Sequence, residues 1–132
     1  MILVDTDVVS FLLKGDSRAE RYFEAIRGDQ PVVSFMTAAE LLAWAELRHW
    51  GARRRAELDR LLRQRYGVLG VDLGLAHEWA RIQAEGALLG QRVSVQDGWV
   101  AATARYFDIR LVTHNVRHFE GIRGLRLGTG PA

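Results

Sequence analysis

Residues 1–15 read MILVDTDVVSFLLKG. Ile2–Val4 is an apolar run too short for a helix. Residues 7–14 then place Val8, Val9, Phe11, Leu12 and Leu13 on a helical stripe that stops at Gly15. A buried strand running straight into a helix, with Asp5 at the junction, predicts an α/β unit. The pattern recurs along the chain. Val32–Phe35 reads as a strand after Pro31, followed by a helix over 38–50 that ends at Gly51. Helices are predicted over 17–27, 52–66, 73–89 and 95–107, and strands over 68–71 and 110–113, with a last short strand at 125–127. Short, fully apolar strands between helices predict a parallel sheet of four or five strands with helices on both faces, a three-layer α/β/α arrangement. In such sheets ligands bind beyond the carboxyl ends of the strands.

The 132 residues are expected to form one domain, 1–132. Hydrophobic residues at 48% and charged residues at 26% are the composition of a folded globular chain. Cysteine is absent, which excludes disulfide scaffolds, thiolate zinc sites, iron–sulfur clusters and cysteine nucleophiles. No apolar run approaches the ~18 residues of a membrane span. The opening lacks a basic segment and carries acids at 5 and 7, unlike a secretory signal. The expected location is cytoplasmic, with no membrane partner. No G-K-[ST], G-x-G-x-x-G or G-x-S-x-G motif is present.

The net charge is only +2, but it is unevenly spread. Residues 48–65 hold seven arginines against Glu57 and Asp59, and residues 105–132 hold five against Asp108 and Glu120. Arginine's planar fork suits phosphate, so the clusters point to an anionic partner.

The informative residues are the acids at strand ends. Asp5 follows the first strand directly, and Asp7 lies two residues on. Glu40 and Asp97 lie in the first turns of predicted helices, and Asn115 follows Leu111-Val112-Thr113. Taken singly these acids read as helix caps: Thr37-x-x-Glu40 and Ser94-x-x-Asp97 both fit the capping box. Yet Glu40 shares a helical face with Trp44 and Leu47, and Asp97 with Val100, Ala101 and Ala104. An acid heading an apolar stripe points partly inward, where an unpaired charge is costly and a bound cation would offset the cost. Carboxylate donors without thiols suit Mg2+ or Mn2+. Such an ion polarises a phosphoryl oxygen and acidifies water, which implies metal-assisted phosphodiester hydrolysis.

Three stretches, ILVDTDVVSFLLKG, VVSFMTAAELLAWAE and VQDGWVAATARYFDIRLVTHNVRHFEGIRGLRL, span nearly the whole chain. In order and spacing the chain resembles the PIN-domain ribonucleases, most closely the VapC toxins of bacterial toxin–antitoxin pairs. The resemblance implies that Asp5, Glu40 and Asp97 are metal-coordinating acids. It places Asn115 where the family has a fourth acid, a substitution that argues against a second tightly held metal. It gives Thr113 a hydroxyl that can hold metal-bound water, and Asp7 a place beside Asp5 either as an added ligand or as a brace. It further implies an RNA substrate such as tRNA or rRNA, a cognate antitoxin and a homodimer. Arg117 and Trp99 are the candidates for RNA contact. His114 and His118, at i and i+4, read as RNA or antitoxin contacts, or as simply exposed, rather than as zinc ligands.

Two rivals use the same residues. Asp5-Thr6-Asp7-Val8-Val9 fits the D-x-D-x-[TV] nucleophile motif of haloacid-dehalogenase-type phosphatases. That motif also requires a late basic residue, usually lysine, and a late acidic pair; the only lysine is Lys14, and the 111–115 segment supplies no such pair. The other rival is a non-catalytic RNA-binding module working through the 48–65 arginines.

Overall fold

The structure, a computed structural model, describes residues 1–128. Strand β1 (Ile2–Val4) leads into α1 (Thr6–Lys14); a 3₁₀ turn at Ser17–Ala19 precedes α2 (Glu20–Ile26). Strand β2 (Pro31–Ser34) leads into α3 (Phe35–Leu47) and α4 (Ala52–Arg60). Strand β3 (Val68–Leu69) is followed by α5 (Leu73–Leu88) and α6 (Val95–Phe107), then β4 (Arg110–Val112) and a 3₁₀ turn at Val116–His118. Among these residues no helix is long and apolar enough to cross a membrane.

All strand pairs are parallel, in the order β3-β2-β1-β4, with Leu3 level with Val32 on one side and Leu111 on the other. The strands are so short that alternation assigns their side chains directly to two cores. Ile2, Val4, Val33 and Val112 face Val8, Val9, Tyr22, Leu41 and Leu58 from the first four helices and Leu62 just after them. Leu3, Val32 and Leu111 face Leu75, Ile82, Val100, Ala101 and Phe119 on the opposite side. Both faces are therefore covered, as the apolar strands require.

The chain builds outward from β1 to β3, then crosses to the far side of β1 to lay down β4. The order of strands reverses between β1 and β4, which makes that junction the topological switch point where ligands bind in such folds.

Several boundaries differ from the sequence reading. The helix predicted over 38–50 starts at Phe35, because Ser34 caps it by accepting a hydrogen bond from the Thr37 N–H at 3.0 Å. The same helix stops at Leu47, where His49 takes the left-handed conformation (φ 52°), while Gly51 caps the start of α4. The 17–27 segment divides into a 3₁₀ turn and α2, and the 52–66 segment widens into a π-helical turn over Leu61–Arg65. The expected strand 125–127 is reduced to one parallel bridge between Leu127 and Leu111, so the sheet has four strands.

Candidate active site

Asp5 sits where β1 ends and α1 begins. Its backbone N–H donates to the Val112 carbonyl of β4 at 2.9 Å, which ties the two strand ends together. Its carboxylate caps α1, accepting from the Thr6 N–H at 2.8 Å, and accepts from the Thr113 hydroxyl at 2.7 Å. Only 7% of Asp5 is exposed. Burial, reinforced by the charge of Asp7, pushes its carboxyl up to about 7, while the Thr113 and Thr6 hydrogen bonds oppose the shift.

Around Asp5 lies a cavity of about 230 Å³ lined by Thr6, Asp7, Glu40, Trp44, Asp97, Asn115 and His118. The fold thus brings Asp5, Glu40, Asp97 and Asn115 to one place from four separate segments. Glu40 projects from the second turn of α3 and is half-buried. Burial first, and then the charges of Asp97 and Asp7, raise its carboxyl above the ordinary value, against the pull of the Thr6 hydroxyl. Asp97 lies in the first turn of α6, whose cap Ser94 accepts from the Asp97 N–H at 3.1 Å. The Asp97 carboxylate rests 3.1 Å from Nδ1 of His118.

Asp7 is a brace. One of its oxygens accepts from the Val8 N–H at 2.7 Å and the other from the His114 N–H at 3.1 Å, which pins the segment after β4 to the start of α1. Desolvation raises its carboxyl too. Thr113 donates its hydroxyl proton to Asp5 and accepts from the Asn115 N–H at 3.1 Å, so it orients both neighbours. Asp7 bonded in this way, with Lys14 at the far end of α1, does not favour the phosphatase reading.

The sequence reading missed a hydroxyl chain behind Glu40. Thr6 Oγ1 donates to Glu40 Oε1 at 3.1 Å and lies 2.8 Å from Thr37 Oγ1. Ser34 Oγ donates to Thr37 Oγ1 at 3.4 Å. Thr6 has one hydroxyl proton, committed to Glu40, so Thr37 must donate to Thr6. All three protons then run one way, from buried Ser34 through buried Thr37 and Thr6 to the carboxylate. The one signal in the sequence was Thr37-x-x-Glu40. It read as a capping box, whereas its real content is a hydroxyl and a carboxylate one turn apart on the same face.

Trp99 stacks on Trp79 (centroids 5.1 Å apart) and meets Phe35 edge-on, so its ring is engaged in packing and does not line the acidic cavity. Arg117 lines a neighbouring cavity instead. The two histidines part company: His118 turns to Asp97, while Nδ1 of His114 meets the Tyr22 hydroxyl at 2.6 Å.

The donor chemistry of the cavity suits a hard divalent cation. Its acids present oxygen only, and among the described residues no arginine or lysine pairs with any of them and the buried Asp5 has no cationic partner. Among the described residues the side chains, as placed, do not form a ready group of three that could hold one ion. Glu40 leans on Thr6 and Asp97 on His118, so the acids line a shared cavity rather than a closed cage.

Comparison with known proteins adds a family. A PIN-domain family model matches residues 2–125. The tRNA(fMet)-specific endonuclease VapC of Shigella flexneri is 30% identical over 124 residues, covering 94% of this chain and 93% of that protein. The structure of VapBC-1 from nontypeable Haemophilus influenzae superposes with a TM-score of 0.79 at 28% identity, covering 96% of each chain. VapBC2 from Rickettsia felis, bound to a DNA fragment from its promoter, reaches a TM-score of 0.83 at 20% identity over 96% of this chain and 97% of that one, a likeness of fold.

Proposed function

The chain belongs to the PIN-domain family, and from that premise we propose that it is an endoribonuclease toxin whose acid-lined cavity hydrolyses RNA phosphodiester bonds with a divalent cation. One observation carries this reading: carboxylates from β1–α1, α3 and α6 line a single cavity at the switch point with no arginine or lysine among them. The name of the Shigella relative, a tRNA(fMet)-specific endonuclease, supports an RNA substrate such as tRNA or rRNA. The VapBC architecture of the Haemophilus neighbour supports a cognate antitoxin as the partner that holds the activity in check. The unit is one catalytic domain, 1–132, acting as a homodimer in the cytoplasm.

Asp5, Glu40 and Asp97 would hold Mg2+ or Mn2+. When bound, such an ion supplies polarisation of a phosphoryl oxygen and acidification of water near neutral pH. The chain's own residues prepare for this. Thr113 and the Thr6 N–H fix Asp5, and the hydroxyl chain fixes Glu40. Asp7 holds the 113–115 segment in place, and Asn115 adds a neutral amide at the cavity wall, consistent with one tightly held ion. Arg117, which lines the neighbouring cavity, would hold an adjoining phosphate.

The test is cleavage of tRNA by the purified chain with Mg2+ or Mn2+, with EDTA, and with Asp5→Asn. Cleavage is expected with either ion, and to disappear with EDTA and in the variant. Activity that survives EDTA would falsify the metal-dependent mechanism.

A further inference from the structure

Beside the acidic cavity lies a larger one, of about 530 Å³, that shares Asp97 and His118 with it as a common wall. Its character is different. Val93 and Ile122 form apolar wall and are anchored on the core beneath α5 and α6. Arg92 and Arg117 stand on its rim beside Glu120, and among the described residues neither arginine forms an ion pair.

The wall at Gln91 is tightly built. The Gln91 N–H donates to the Gly86 carbonyl at 2.8 Å, and a Cβ on Gly86 would collide with the Gln91 carbonyl oxygen. A Cβ on Gly121 would collide with the Gln91 side-chain amide. Two glycines from distant parts of the chain therefore leave room for Gln91 to lie where it does, with an amide that can both donate and accept at the cavity wall.

A polyanion cannot rest on the carboxylates alone. The adjoining cavity offers what a nucleotide next to the scissile bond requires: apolar surface for the face of a base, an amide for its edge, and two guanidinium groups without internal partners for its phosphates. We infer that this cavity is a nucleotide subsite, in which Val93 and Ile122 receive the base, Gln91 reads its edge, and Arg92 and Arg117 clamp the adjoining phosphates. The assignment rests on the nuclease reading of the neighbouring cavity and deepens it, because it places base selection at Gln91.

The experiment is a methyl NMR titration of the full chain with the four ribonucleoside 5′-monophosphates in EDTA, with inorganic phosphate run in parallel. The subsite predicts saturable shifts of the Val93 and Ile122 methyls that differ among the four bases. Affinity should fall at least tenfold in the Arg92→Ala/Arg117→Ala double variant and stay unchanged in Arg27→Ala. In Gln91→Leu the four affinities should draw together. Equal shifts from inorganic phosphate would reduce the cavity to an anion hook and overturn the nucleotide assignment. A protein that cleaves RNA with Mn2+ but shows no saturable shift at these methyls would overturn the subsite and leave the nuclease reading standing. Base-dependent shifts in a protein that cleaves no RNA would do the reverse.

Discussion

The acids of α5 and the acids of the cavity live under opposite electrostatic conditions. On α5, Glu78 and Glu85 are bridged by Arg105 of α6 at 2.6 Å and 2.9 Å, and Arg81 reaches Glu78 at 2.6 Å. The hydrogen bond from Arg105 holds the Glu85 carboxyl below its ordinary value. In the cavity, among the described residues, Asp5, Asp7 and Glu40 pair with no arginine or lysine and Asp97 pairs with a histidine alone, and burial drives Asp5 and Glu40 upward. The chain contains 17 arginines, so counter-charge is not scarce. The contrast teaches that the cavity is a place kept without an internal cation, at a cost in stability that an ion from solution would offset.

The sharpest way to break this contrast is to neutralise one cavity acid. Asp5→Asn keeps an acceptor for the Thr6 N–H, puts an amide NH2 where the other oxygen accepts from the Thr113 hydroxyl, and removes the charge, so RNA cleavage should fall on the order of 10²-fold or more. Stability in EDTA should move the other way. The folded carboxyl titrates at about 7 and the unfolded one at 3.8. Between those values the native state keeps a proton that the unfolded state has released, so native stability falls as pH rises through the window and is flat above it. The variant lacks this slope. Urea unfolding should show it more stable than wild type by about 1–3 kcal/mol at about pH 8, with the gap closing towards pH 4.

The α5 side of the contrast predicts the reverse pattern. Arg105→Ala leaves Glu78 and Glu85 without their shared partner and should cost about 1–3 kcal/mol in stability. Cleavage per folded molecule should be unchanged. A fall in turnover with no fall in stability would show that the two acidic regions are not independent.

The smallest effect tests how the cavity is held. Thr37 touches no ion ligand, yet it is the middle link of the chain that ends on Glu40. Thr37→Val should cost about 1 kcal/mol and weaken Mn2+ binding by about tenfold, with Thr37→Ser restoring both. A change in stability alone would confine Thr37 to a packing role.

Much of this was legible in the sequence, and the losses have physical causes. The alternation of short apolar runs with helical stripes gave the parallel sheet, and the rule about strand ends directed attention to Asp5, Glu40, Asp97 and Asn115. The start of α3 lies three residues before the predicted one because Thr37-x-x-Glu40 fits the capping box while the real cap, Ser34, has Thr37 and no acid three residues on, and only the extended backbone at Ser34 marks it. Gly51 carries the usual signal for the end of that helix, but His49 supplies the left-handed residue and Gly51 opens α4 instead. The hydroxyl chain was invisible because Thr6 and Thr37 lie 31 positions apart and meet only once β1 and β2 are paired. The packing of Trp99 against Trp79 depends in the same way on the meeting of α5 and α6.

The most direct test of the central claim is calorimetric titration of Mn2+ into the wild-type chain and into Asp5→Asn, Asp97→Asn and Asp72→Asn. Asp72 also caps a helix, accepting from the Leu75 N–H at 2.9 Å and the Tyr106 hydroxyl at 3.1 Å, but it lies outside the cavity. Saturable binding to wild type and to Asp72→Asn, weakened at least tenfold in the two cavity variants, is the predicted result. Equal binding to all four proteins would contradict the account.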